Sequence, residues 1–195
     1  NPAAFLYKYK DIQLTQTQGG SLLILNAAKA TLKGFDFDGE AFLTENISFT
    51  FGGAYVDSKY DEFLNGPTFT PNPAGGNIVG TGDLSGNRLI RTPKFTGNIG
   101  VKGSFPIGND KITAQANLYH SGGFFFEAEN RLKQGDYRTL SGEIAYEIGD
   151  MWRIWVFGRN ITNTKYLVFG ESGGLGDIVS AAPGRLYGVG AGFRF

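Results

Sequence analysis

His120 and Ser121, in the stretch YHSGG, set an imidazole beside a hydroxyl, the two groups that nucleophilic hydrolysis combines. Adjacent residues on a strand point to opposite faces, so the pair would not meet there. The chain also lacks a G-x-S-x-G elbow. A structural histidine near a loop is therefore expected, and no enzyme activity. A hydrolase built on His120 is the rival, and His120→Ala would abolish its activity. Asp36, Asp38 and Glu40 form a second constellation. On a strand they share one face at ~6.6 Å intervals, a spacing open to acid–base work or to a hard cation such as calcium. The expected alternative is a polar wall whose carboxylates pair with cations on neighbouring strands, with Lys94, Lys102, Arg153, Arg159 and Arg194 as partners. Asp57, Asp61 and Glu62 gather at a loop entrance and offer carboxylates for calcium in the same way. Cysteine is absent and histidine occurs once, which removes disulfides and argues against zinc and haem sites. The glycine-rich stretches 75–86 and 170–176 carry no phosphate-binding pattern. No catalytic residue, metal or cofactor is expected.

The elements that must position these residues are strands. Helical periodicity is hard to find, whereas alternation with period two recurs along the chain. About eight strands are read between turn signals, approximately 3–15, 27–43, 47–60, 89–106, 111–123, 136–148, 151–163 and 184–195. In the third, Ile47, Phe49, Phe51 and Tyr55 oppose Ser48, Thr50, Gly52 and Ala54. The fourth sets Phe95, Ile99, Val101 and Phe105 against Thr96, Asn98, Lys102 and Ser104. The first changes parity between Tyr9 and Ile12, which predicts a bulge near Lys10-Asp11. Tight turns at 44–46, 108–110 and 149–150 alternate with longer segments at 16–26, 61–88, 124–135 and 164–183. An up-and-down meander collects the short turns at one end and the long loops at the other. Transmembrane β-barrels have that asymmetry. Aromatic residues near strand ends (Tyr7, Tyr9, Tyr55, Tyr60, Phe124 to Phe126, Trp152) suggest interfacial girdles.

Composition narrows the classes further. The 18 basic and 18 acidic residues cancel, which speaks against a nucleic-acid partner. No apolar run approaches the ~20 residues of a membrane-spanning helix. Mean hydropathy is −0.17, a value that suits both a soluble sheet and a barrel whose strands are polar on one face. The chain starts Asn1-Pro2-Ala3 with no initiator Met and no signal-peptide pattern, so a leader was removed or the chain is a piece of something longer.

The last residues, GRLYGVGAGFRF, put Tyr187, Val189, Ala191, Phe193 and Phe195 on one face, against Gly188, Gly190, Gly192 and Arg194. This strand and three further stretches resemble the C-terminal barrel region of TonB-dependent outer-membrane receptors. GRNITNTKY, 158–166, is similar to the family's NLTDxxY signature. DGEAFLTENISFTFGGAYVDSKYDEF, 38–63, resembles its recurrent hairpin, and NRLIRTPKFTGNIGVKGSFP, 87–106, its aPkhtxnlgxxy strand. The likeness covers nearly the whole chain.

The resemblance implies an all-β, antiparallel, up-and-down transmembrane β-barrel segment, part of a barrel of about 22 strands around a plug. Residues 1–195 would be its C-terminal portion, with the plug domain and TonB box not present. It further implies a bacterial outer-membrane receptor for TonB-energised uptake of a scarce nutrient: a metal–siderophore complex, cobalamin or an oligosaccharide. Its partners would be outer-membrane lipid, TonB through the missing N-terminal part, and a small-molecule ligand at the loops 61–88, 124–135 and 164–183. The barrel-assembly machinery would read Tyr187, Phe193 and Phe195. A complete small eight-stranded barrel with a structural or adhesive role is the alternative. A soluble β-sandwich is a further rival, which partition into water without detergent would favour.

Overall fold

A computed structural model describes residues 1–18, 21–27 and 29–194. The chain begins with β1 (Pro2–Tyr9), and then leaves the sheet in a hairpin of β2 (Ile12–Gln18) and β3 (Ser21–Ala27). The long strands β4 (Lys29–Thr44) and β5 (Ile47–Glu62) follow, then a hairpin of β6 (Gly66–Pro71) and β7 (Asn77–Gly82). Next come β8 (Phe95–Ile107), β9 (Asp110–Ser121) and the short pair β10 (Phe124–Phe125) and β11 (Lys133–Gln134). The chain finishes with β12 (Tyr137–Ile148), β13 (Trp152–Arg159), the hairpin β14 (Leu167–Gly173) and β15 (Gly176–Ala181), and β16 (Leu186–Phe193). Eight strands make one antiparallel sheet in the order β1-β4-β5-β8-β9-β12-β13-β16. β1 and β16 are its two edges and do not pair with each other among the described residues. The wall is open.

All eight expected strands are present, and three boundaries differ for identifiable reasons. The parity change after Tyr9 is a complete break and not a bulge: Asp11 takes φ +56°, and Ile12 starts a strand that pairs elsewhere. The fourth expected strand begins at Phe95 instead of residue 89. Arg91 is left-handed at φ +51°, Pro93 has no N–H for a ladder, and Arg88 spends its backbone N–H on Asn130 Oδ1 at 2.8 Å. The seventh ends at Arg159 because Asn160 and Asn163 turn left-handed at φ +47° and +55°. The long connections fold into hairpins, which the sequence reading treated as plain loops.

Register joins the alternating residues into two continuous faces. Residues directly opposite each other across strands share a side. Phe49, Val101, Ala116 and Phe51, Ile99, Leu118 are such rows, and Ile144, Val156 and Val189 another. Val101 is 45%, Ile144 57% and Val189 80% exposed, so the apolar face is open along the sheet. A water-soluble sheet would cover such a face.

Aromatic rings border this apolar face at both ends. Phe35 stacks on Tyr55 at 5.8 Å toward the loops, where Phe95 and Tyr187 also lie. Trp152 meets Phe193 at 4.7 Å beside the turns. Of the residues expected in girdles, Tyr55 and Trp152 occupy these borders. Tyr7 and Tyr9 do not: they pair with Leu32 and Ala30, on the face of Asp36 and Asp38. Tyr60, 1% exposed, packs with Ala30, Phe63, Leu84 and Ala128 in a small core beneath the loops. Phe124 to Phe126 belong to the β10–β11 hairpin and its flank.

The opposite face is polar, with aromatic rings set among its polar side chains. Trp155 and Phe157 point there, and β16 meets them with glycine. Gly190 lies across from Trp155 and Gly188 from Phe157. A Cβ at Gly188 would come 2.5 Å from the Phe157 ring, and one at Gly190 would fall on the indole of Trp155. The glycine stripe of the last strand is thus the space these two rings occupy.

Candidate functional site

On the polar face Lys111 bonds Glu147 at 2.8 Å, and Arg153 reaches Glu143 at 2.6 Å and Glu147 at 3.9 Å. The Arg153 guanidinium also lies 4.8 Å from the Trp155 ring. This is the expected polar wall, built on β9, β12 and β13. Asp36, Asp38 and Glu40 share the same face, yet none of them forms an ion pair among the described residues. Asp38 accepts from Asn1 Nδ2 at 3.0 Å. Among the described residues Arg153 alone of the expected partners joins a carboxylate: it stands on β13, five strands from β4, and meets Glu143 and Glu147 of adjacent β12. Glu40, Lys102, Asn117, Glu143 and Arg159 line a furrow on this face. Asp57 pairs with Lys33 at 3.5 Å, Glu62 with Lys29 at 2.6 Å, and Asp61 with Lys59 at 3.6 Å. The loop-entrance carboxylates are therefore each matched by a lysine, and no metal-binding cluster occurs among the described residues.

His120 and Ser121 diverge. His120 stands on the apolar face, 5.9 Å from the Phe95 ring, and its Nδ1 accepts from Arg138 Nε at 3.4 Å. Ser121 is 2% exposed on the other face and donates to the Gly122 carbonyl at 3.1 Å.

Above the wall, three connections interlock around Arg131, which follows β10. Its guanidinium donates to both carboxylate oxygens of Asp177 on β15, at 2.8 and 2.7 Å, and to Ser172 Oγ at 2.7 Å. This fork-to-fork geometry is the strong form of the Arg–carboxylate pair. Glu127 and Glu129 stand 3.8 and 3.7 Å from Arg131 Nε. Asp177 sits well below the ordinary carboxylate range, chiefly through its bonds from Arg131, and the guanidinium is raised in turn. The β6–β7 hairpin joins through Asn77, whose Nδ2 donates to Asp177 Oδ1 and the Gly173 carbonyl at 2.9 Å each. Glu129 accepts the Phe69 N–H at 3.0 Å.

Asn87, Asn130 and Gln134 extend the lacing. Asn87 Nδ2 donates to the Ala128 carbonyl at 2.9 Å, and Asn130 Nδ2 to the Arg88 carbonyl at 3.0 Å. Gln134 Oε1 accepts the Leu167 N–H at 2.5 Å. The segments 61–88, 124–135 and 164–183 were expected to carry ligand contacts. They form one cross-tied assembly at the loop end of the sheet. Its key residues were not singled out from the sequence, because Asn, Gln and Arg in loops carry no periodic signal.

GRNITNTKY has a clear physical role. Asn160 accepts the Thr164 N–H at 3.0 Å and donates to the Thr164 carbonyl at 3.0 Å. Asn163 Oδ1 accepts the Arg185 N–H at 3.0 Å, and Tyr166 stacks on Tyr137 at 4.2 Å. The motif closes the end of β13 and launches the last strand. Tyr187 is 60% exposed and Phe193 51%, both on the apolar face; Phe195 lies outside the described residues.

An antiparallel meander with an exposed apolar face, tight turns at one end and packed hairpins at the other has the architecture of a transmembrane barrel wall. A family model described as TonB dependent receptor-like, beta-barrel, matches residues 2–161, and the chain belongs to that family. It is a segment of a larger barrel. The pesticin receptors of Yersinia enterocolitica and Yersinia pestis are 22% identical over 187 residues. Those alignments take in 96% of this chain and 25% of each relative, so the chain spans about a quarter of their length. Among solved structures, the ferric yersiniabactin uptake receptor FyuA of Yersinia pestis superposes with a TM-score of 0.79 at 22% identity. The match covers 100% of this chain and 27% of FyuA. The ferric citrate transporter FecA matches with a TM-score of 0.71 at 19% identity, over 99% of this chain and 28% of FecA.

Proposed function

We propose that residues 1–195 are the C-terminal part of the barrel of a bacterial outer-membrane receptor that imports a scarce nutrient, a metal–siderophore complex in the first place. The observation that carries this reading is the loop assembly knotted at Arg131, together with a polar-face furrow whose Lys102 and Arg159 form no ion pair among the described residues. Such an arrangement presents amide, cationic and aromatic groups to a polar ligand arriving from outside. Family membership supports the direction of transport, and the likeness to FyuA, a ferric yersiniabactin uptake receptor, and to FecA, a ferric citrate transporter, supports the substrate class. The plug and the TonB-interacting segment would belong to other parts of the polypeptide. Nothing in this reading calls for catalysis, and His120 serves the wall.

In the same reading the apolar face contacts membrane lipid, and Tyr187, Phe193 and Phe195 form the signal for barrel assembly. A self-contained eight-stranded barrel is disfavoured because its first and last strands would have to pair, and here β1 and β16 remain edges.

The test is uptake of radiolabelled ferric complexes by cells carrying the full-length gene or its deletion, with and without a collapsed proton gradient. Gradient-dependent accumulation lost on deletion is expected. Accumulation that ignores both manipulations would overturn the transport reading. The denatured mass of the native polypeptide is expected to be several times 21.1 kDa.

A further inference from the structure

Three depressions on the polar face run into one another. The furrow that holds Glu40 and Arg159, about 510 Å³, shares Lys102, Gln115 and Glu143 with a smaller one of about 270 Å³. That one shares Lys111, Glu147 and Arg153 with a third of about 530 Å³, which ends among the tight turns at Asp150 and Arg194. Register sets these residues in order. Lys102, Gln115, Glu143 and Phe157 lie opposite one another in one row, and Lys111, Glu147 and Arg153 in a second row nearer the turns. From Arg159 down to Arg153 the groove follows β13 for about 20 Å of strand.

Charge is distributed unevenly along it. Glu143 and Glu147 are matched by Arg153 and Lys111. Lys102 and Arg159 are exposed and form no ion pair among the described residues. Their neighbours in the sheet are neutral: Lys102 stands between Ser48 and Gln115, and Arg159 is opposite Leu186. Of the interior carboxylates on β4, Glu40 alone reaches the furrow, at its border. A cleft with an excess of one sign concentrates ions of the other. Lone cations spaced among neutral amides also hold an anion weakly at each stop, as passage requires. A wall that only needed to settle its own charges would pair Lys102 and Arg159 as it pairs Arg153.

We propose that the groove along β9, β12 and β13 is the passage by which the imported complex moves from the loop end toward the tight turns, and that this complex carries net negative charge. The proposal rests on the transport reading above and adds to it a side of the wall and a sign for the cargo. Lys102 and Arg159 act during transit, after the loops have captured the complex.

The experiment uses cells carrying the full-length receptor and three radioiron probes: anionic ferric tris-catecholate, anionic ferric citrate and an uncharged ferric tris-hydroxamate. Gradient-dependent entry of an anionic probe about tenfold faster than the uncharged one is expected. Entry of the uncharged probe at an equal or higher rate overturns the proposal. Entry of none of the three counts against the transport reading itself, and the passage falls with it. Lys102→Gln combined with Arg159→Gln should slow the anionic probe about tenfold, while its binding to cells with a collapsed gradient stays within about twofold. Lys102→Arg combined with Arg159→Lys should keep the original rate, and Lys33→Gln on the apolar face should leave it unchanged. A loss of binding equal to the loss of rate would place the two cations in the capture site and overturn the passage. So would a normal rate in the assembled double variant, or slowing that the charge-conserving pair shares. Heat-modifiable mobility reports assembly; should the double variant not assemble, the unaltered receptor's choice between probes decides.

Discussion

Asp177 and Gly190 show how much single residues decide in this chain. The Asp177 carboxylate has its proton affinity depressed, so its link to Arg131 stabilises the loop assembly above the ordinary carboxylate range and is lost as pH falls through the depressed value. Hydrogen exchange in the β14–β15 hairpin should therefore stay slow from neutral pH through moderate acid and rise only in strong acid. In Asp177→Asn that hairpin should exchange faster at neutral pH already, with β8 and β9 unchanged. Equal protection in both proteins would show that the hairpin does not depend on this link. Gly190 carries a packing prediction. Gly190→Val places a branched side chain where the Trp155 indole lies, at a cost of about 1–3 kcal/mol by overpacking. Trp155→Ala in the same chain should recover most of that loss, which urea unfolding of the refolded protein would measure.

At the scale of elements, the strands of the main sheet present one apolar and one polar face, and the proposed lipid-facing role predicts opposite responses of the two to charge. Val101 and Asn98 sit on the same strand, β8, on opposite faces. Val101→Lys places an ammonium in the middle of the apolar band and should cost about 2–4 kcal/mol of barrel stability. Asn98→Lys should assemble normally, since its neighbours Gly52 and Tyr119 lie on the polar face. Heat-modifiable mobility of outer-membrane extracts separates the outcomes, and equal yields of both variants would refute the face assignment. Alternation made these faces legible, because period two in sequence is period two in space. The hairpins β6–β7 and β14–β15 were not legible as such. Their strands are six or seven residues long, each with glycine, and they are tied to other loops by side-chain hydrogen bonds.

For the whole molecule, the open edges are the decisive feature. Cysteines at Leu6 on β1 and Val189 on β16 should fail to form a disulfide within the native protein, since other strands separate them. Efficient cross-linking would instead indicate a closed eight-stranded barrel. The three cross-tied connections should also respond together. Arg131→Gln removes the donor shared by Asp177 and Ser172, so proteolytic sensitivity should appear in both 124–135 and 164–183. Sensitivity confined to one segment would show that the ties are dispensable.

The amino-acid sequence by itself determined the eight strands of the main sheet, its two faces and the separation of tight turns from long connections, because side-chain alternation and turn residues act over a few positions. It also carried the family likeness in GRNITNTKY and the terminal strand. Only the tertiary structure decided that Tyr7 and Tyr9 face inward, that Asp36, Asp38 and Glu40 lack the cationic partners available in principle, and that Arg131 ties three connections together. Those outcomes depend on which strands become neighbours and in what register. Pairings between residues tens of positions apart leave no periodic trace along the chain.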